Sequence, residues 1–218
     1  DAKFVLALNG QTLTGRINFT KGDMTVSNGT LRATSQVLNV FGRKTASSAE
    51  EAAESHTTLT IAADCSVEGG NFGVAVFGGD QGNIYWPLGF GETVNIYGKI
   101  KALYSPIQTS GNVGMDTYVA NIGKNAEVEA VTNALKMGVS AMMAKYGSVV
   151  NIYDGAVLET VPGKTEDSSQ GISSQGMSTY NIYGGKVSGA EAIGVKGGIV
   201  NVMGGEMTAF GVKANPIE

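Results

Sequence analysis

Few of the ionisable side chains in this 218-residue chain are placed to act together. Asp64, Asp80, Asp116 and Asp154 are scattered, and no two aspartates are adjacent. Acid–base cleavage of a glycosidic bond needs a pair of carboxyls within about 10 Å, one to protonate the leaving oxygen and one to activate water. The sequence does not spell such a pair. Glu50-Glu51 and Glu166-Asp167 lie in polar stretches and read as solvated loop charges. The single histidine, His56, supports neither a metal site nor a catalytic triad. Cys65, between Ile61 and Val67, reads as a small buried hydrophobe rather than a nucleophile. Gly69-Gly70-Asn71-Phe72-Gly73 and Gly78-Gly79 lack a following Lys-Ser/Thr and read as turns, not phosphate cradles. No catalytic residue, metal ligand or cofactor is assigned.

Recognition is a better-marked kind of chemistry here. Phe41, Tyr97, Tyr153, Tyr183 and Met203 each follow an asparagine by two positions: Asn39, Asn95, Asn151, Asn181 and Asn201. Ala120-Asn121-Ile122-Gly123 is a weaker copy with glycine in the aromatic place. Aromatic rings beside amide hydrogen-bonders suit a sugar chain or a protein partner. The competing reading is that the tyrosines stack on one another and stabilise the fold. A second candidate is the stretch carrying Tyr85, Trp86 and Phe90, since exposed aromatics anchor interfaces. Its competing reading is packing against a flank or an open end.

The elements that would position these residues follow from the same repeat. The runs Leu38-Asn39-Val40-Phe41-Gly42, Val94-Asn95-Ile96-Tyr97-Gly98, Val150-Asn151-Ile152-Tyr153, Tyr180-Asn181-Ile182-Tyr183-Gly184-Gly185 and Val200-Asn201-Val202-Met203-Gly204-Gly205, with the weaker copy at Asn121 between the second and third, recur at about 20–30 residues, a solenoid period, with two such periods between the first two. Each is followed by a second apolar strand, such as Lys99–Ala102 or Lys186–Gly189, and then a third, such as Met137–Ala141 or Ala192–Lys196. Three short strands per coil, separated by glycine turns, predict an all-β, right-handed parallel β-helix solenoid with polar loop insertions. Side chains alternate in a strand and coils stack about 4.8 Å apart. The alternation places Val40, Ile96, Ile152, Ile182 and Val202 inward. It places the asparagines and aromatics outward, where asparagines can share amide hydrogen bonds from coil to coil. The reverse assignment holds locally if the asparagine sits at a turn.

The whole chain, 1–218, reads as a single β-helix domain. Its first coils cover about 1–42, and a polar insertion covers about 43–58, as a loop or a short helix. A loop follows over about 78–92, and regular coils over about 93–218, with a smaller polar insertion at 162–170 and truncation expected at the C-terminal end. Apolar residues at 42% allow a substantial core, and 32 glycines without a Gly-X-Y period fit many tight turns rather than collagen. The net charge of −4, without a basic stripe, makes nucleic acid a poor partner. No apolar run is long enough to span a membrane as a helix.

Leu8-Asn9-Gly10-Gln11-Thr12-Leu13-Thr14 and Asn181-Ile182-Tyr183-Gly184-Gly185-Lys186-Val187 together resemble the β-helix regions of bacterial cell-surface, adhesin-like proteins of gut Firmicutes, within the broader pectin-lyase-like superfamily. The resemblance covers nearly the whole chain. It implies an extracellular or bacterial cell-surface setting and a non-catalytic module displaying a binding face for a host protein or glycan, with further coils or domains in a longer parent chain. The superfamily also implies two alternatives: a polysaccharide lyase or hydrolase, or a phage tail-spike-type depolymerase. A purely structural stalk is a third. The polygalacturonase pattern of adjacent aspartates and Gly-His-Gly is absent, as are the clustered carboxylates of a calcium-dependent lyase.

Overall fold

The computed structural model describes residues 2–19, 22–41, 57–77, 92–110, 118–130, 140–145, 148–160 and 169–210. These are all-β, with 21 strands and no helix among them. The strands recur in three stacks. The first contains β1 (Lys3–Ala7), β4 (Gly22–Ser27), β7 (Thr57–Ile61), β10 (Glu92–Ile96), β13 (Tyr118–Ile122) and β16 (Ser148–Ile152). The second contains β2 (Thr12–Thr14), β5 (Gly29–Ala33), β8 (Cys65–Gly69), β11 (Lys99–Ala102), β14 (Glu127–Ala130), β17 (Val157–Thr160), β19 (Lys186–Gly189) and β21 (Glu206–Ala209). The third contains β3 (Ile17–Phe19), β6 (Gln36–Phe41), β9 (Phe72–Phe77), β12 (Ser105–Ser110) and β15 (Ser140–Lys145).

Through β15, each strand pairs in parallel with the one three places later in the chain. Two long strands, β18 (Gln170–Ile182) and β20 (Glu191–Val202), join the third stack to the first. The first half of β18 pairs with β15 and the second half with β16, and its register against β20 shifts between Gln175 and Ser178. Parallel strands stacked in this order are consistent with a β-helix solenoid.

Alternation makes each stack two-faced. β4, β7 and β10 alternate strictly between buried and half-buried residues. In the first stack, Val26, Ile61, Ile96, Ile122, Ile152 and Ile182 align through the register into one buried aliphatic column. In the second, Leu31, Val67, Ile100, Val128, Leu158 and Val187 make a matching column. Both belong to one continuous hydrophobic core. β-branched side chains dominate the first column because they pack well on a pleated surface and are stiff about χ1.

The turn between the first and second stacks explains the glycines. Asn125, Gly155, Gly185 and Gly205 all have positive φ, between 70° and 100°, which glycine and asparagine tolerate best. The first glycine of each Gly-Gly pair serves a different end. A Cβ on Gly184 would lie 2.8 Å from the Asp154 Cα, and one on Gly204 would lie 2.7 Å from the Tyr183 carbonyl oxygen. One glycine supplies the angle and its neighbour supplies the close approach of successive turns.

Some boundaries differ from expectation. Thr57 and Thr58, expected in the polar insertion, open β7, and Glu92 opens β10 rather than closing a loop. Gln170 likewise opens β18. All four residues extend a strand by pairing with a neighbour: Thr57 and Thr58 with Gly22 and Asp23, Glu92 with Thr57, and Gln170 with Ser140.

Candidate functional site

The first stack carries the asparagine ladder. Residues Asn95, Asn121, Asn151, Asn181 and Asn201 are register partners in sequence. Their side chains form a directed chain. Asn121 Nδ2 donates to Asn95 Oδ1, Asn151 to Asn121, Asn181 to Asn151 and Asn201 to Asn181, each at 2.9 Å. The ladder is not isolated below. Asn95 Nδ2 reaches Thr60 Oγ1 at 3.5 Å, and Thr25 and Val5 continue the same column toward the N-terminus. Asn121, expected as a weak copy, is a full member.

Asn39 and Phe41 do not belong to this column. They sit on β6 in the third stack, where Asn39 pairs with Asn18 and Ala75. Asn39 is buried and donates to Asn18 Oδ1 at 3.0 Å. Asn39 shares a face with exposed Asn18 but is itself covered, so its expected place beside Asn95 is corrected, and Val40 leaves the inward column of Ile96 for the same reason. The Leu-Asn-Val-Phe run has the alternation of the repeat but enters a different stack. The Phe41 backbone pairs with Phe77, so Phe41 is not in the tyrosine column.

That column is Tyr97, Gly123, Tyr153, Tyr183 and Met203, which follow the ladder strands at equivalent turn positions. Each backbone N–H donates to the last inward residue of the preceding rung, as Tyr153 does to the Ile122 carbonyl and Tyr183 to the Ile152 carbonyl. The three tyrosines are exposed, at 42%, 41% and 46%. Their rings are not separate platforms. Tyr153 and Tyr183 stack at 5.2 Å between centroids and 12° between planes. The Tyr97 ring leans over Gly123, where a Cβ would come within 2.4 Å of it. The glycine gap in the repeat is thus the space the Tyr97 ring occupies. The stack covers the facing sides of the Tyr153 and Tyr183 rings, and the column runs alongside the ladder, whose amides are half-buried from Asn95 to Asn181. Together they make a stripe that is apolar in body and rich in donors and acceptors at its surface.

The structure brings Tyr97, Tyr153, Tyr183, Asn95, Asn151 and Asn181 into this stripe and leaves Phe41 out of it. Tyr85, Trp86, Phe90 and His56 lie outside the described residues. Cys65 is buried, as expected; burial, with the Asp64 carboxylate adding to it, pushes the thiol up to about 11. Among the described residues no group of three or more His, Cys, Asp and Glu side chains could hold a metal ion. No described helix is long and apolar enough to cross a membrane.

No family model, curated protein or solved structure matches the chain.

The sequence reading missed the outer face of the second stack. Arg32 pairs with Glu68, Lys101 with Glu129 at 2.6 Å and Lys99 with Glu127 at 2.8 Å, each across adjacent rungs. The hydrogen bond to Glu129 is the main reason the Lys101 ammonium is held above its usual range. These pairs are exposed and worth little singly. The signal was present as Lys99-Ile100-Lys101 against Glu127-Val128-Glu129. It was obscured because the turn before these strands varies in length from coil to coil.

Proposed function

We propose that the chain winds as a right-handed parallel β-helix of about three strands per coil. We further propose that it serves as a non-catalytic, adhesin-like module on a bacterial surface, displaying one face to a host protein or glycan. Right-handedness follows from the near-universal hand of parallel crossovers. The observation that carries the binding reading is the column of three exposed tyrosines beside an unbroken ladder of amides. Such a stripe has a fixed rung spacing, little side-chain entropy left to lose, and hydroxyls and amides that can exchange hydrogen bonds with a polyhydroxylated or peptide ligand.

The test is a glycan array and a pull-down from host extracellular proteins with the wild-type chain and with the Tyr153→Ala, Tyr183→Ala double variant. Signals present in the wild type and lost in a folded double variant support the reading. Equal signals in both remove the stripe as the binding face.

A structural stalk is the second reading, favoured by the Tyr153–Tyr183 stack itself. If the rings serve only rung-to-rung cohesion, the double variant loses stability and the wild type binds nothing on either screen.

A further inference from the structure

Charge is segregated by face in this stack. Beside the asparagine ladder, Thr58, Thr93, Val119, Val149 and Thr179 are register partners on five successive rungs, all half-buried. This column, the ladder and the tyrosine column together form the outer face of the first stack. From Thr58 to Tyr183 none of the three holds an acidic or basic residue. In the turn that follows, Asp64 accepts from the Asn28 backbone N–H, and Lys124 and Asp154 are one of each sign on neighbouring rungs. The outer face of the second stack is built the other way. There Arg32, Glu68, Lys101, Glu129 and Glu159 follow one another through the register.

The uncharged face has a regular pattern of hydrogen-bonding groups. A side-chain amide has two N–H groups and two lone pairs, and the rung-to-rung bonds of Asn121, Asn151 and Asn181 use one of each. One donor and one acceptor per rung remain, in a line that repeats about every 4.8 Å. A chain of hydroxyls answers such a line without a fixed register, because a hydroxyl both donates and accepts. A peptide backbone does not, because each N–H only donates and each C=O only accepts. An ionic ligand finds no countercharge there to offset its desolvation. A second copy laid face to face would set amides against amides, whereas interfaces between like subunits are mostly apolar.

Resting on the reading of this stripe as the binding face, we propose that its ligand is an uncharged polysaccharide. The ligand lies along the stack axis across the five rungs from β7 to β18, a span of about 19 Å at about 4.8 Å per step.

Affinity gel electrophoresis of the whole chain tests this. Hydroxyethylcellulose, mixed-linkage β-glucan and galactomannan serve as neutral polymers, and polygalacturonate and hyaluronate as acidic ones. The expected result is retardation by a neutral polymer that is unchanged up to about 0.5 M sodium chloride, where charge attraction is screened. Thr93→Asp and Thr179→Asp each place a carboxylate under the ligand and should weaken the interaction about tenfold or more. Lys101→Gln, on the charged face, should leave it unchanged. Circular dichroism verifies the fold of each variant, and one folded aspartate variant suffices. Equal retardation of the wild type and a folded aspartate variant overturns the proposal, since the polymer then lies elsewhere. Retardation by the acidic polymers alone, lost at high salt, overturns the neutral assignment and leaves the stripe as a binding face. A host-protein signal that depends on Tyr153 and Tyr183, without retardation by any polymer, does the same. Neither retardation nor such a signal overturns this proposal and the binding reading together.

Discussion

Replacing Asn151 with alanine tests the ladder where it is most demanding. Asn151 Nδ2 donates to Asn121 Oδ1, and Asn151 Oδ1 accepts from Asn181 Nδ2, both at 2.9 Å and both half-buried. One truncation therefore removes two hydrogen bonds and leaves an amide oxygen and an amide N–H on the neighbouring rungs without their partners. A net hydrogen bond is worth about 1 kcal/mol, so the loss is about 2 kcal/mol, and more if the orphaned groups stay shielded from water. Asn201→Ala removes one bond at an exposed position and costs about 0.5–1 kcal/mol on the same scale. Both changes replace an amide with a methyl in a strand, so β-propensity largely cancels in the comparison. Urea titration followed by far-ultraviolet circular dichroism gives the two differences, provided the m-values agree, since a solenoid can unfold in parts. An Asn151→Ala cost no larger than that of Asn201→Ala refutes the directed ladder as a source of stability.

Other outcomes follow from single contacts. Ile152→Ala, at a fully buried position in the aliphatic column, should cost about 2–5 kcal/mol in the same titration. Gly98→Ala should destabilise strongly, because a Cβ there lies 2.3 Å and 2.4 Å from the Cys65 and Ala62 carbonyl oxygens. Gly123→Ala should cost much less, because the obstacle is the movable Tyr97 ring, and tyrosine fluorescence should report the ring's displacement. The Cys65 thiol should resist a thiol reagent at pH 8 in the native chain and react on unfolding. Its folded value of about 11 lies above its unfolded value near 9, so its stabilising contribution is whole below pH 9 and is lost as pH rises through about 11. Stability should therefore fall across that window in the wild type and less so in Cys65→Ala.

Much of this was legible in the residues. The Asn-Ile/Val-Tyr/Met repeat identified the rungs at Asn95, Asn151, Asn181 and Asn201, with Asn121 as a weaker copy, because asparagine, a β-branched core residue and a turn glycine each meet a separate physical demand there. The sequence misled where one of those demands was met elsewhere. Leu38-Asn39-Val40-Phe41 alternates like the ladder rungs, but its asparagine pairs with Asn18 in the third stack. The residues that truly continue the ladder, Thr60 and Thr25, were invisible to an asparagine search, although a threonine hydroxyl can accept the same bond. The charge pairs of the second stack were hidden by unequal turns. The stacking of Tyr153 on Tyr183 depends on side-chain direction, which alternation alone does not give.

The most direct test of the stack order is nuclear magnetic resonance of a selectively asparagine-labelled sample, reading through-space contacts among side-chain amides. Asn121 should contact both Asn95 and Asn151, Asn181 should contact both Asn151 and Asn201, and Asn39 should contact Asn18 alone. Contacts between Asn39 and Asn95, or none between Asn121 and its two neighbours, would contradict the register on which the tyrosine stripe and its proposed binding face both rest.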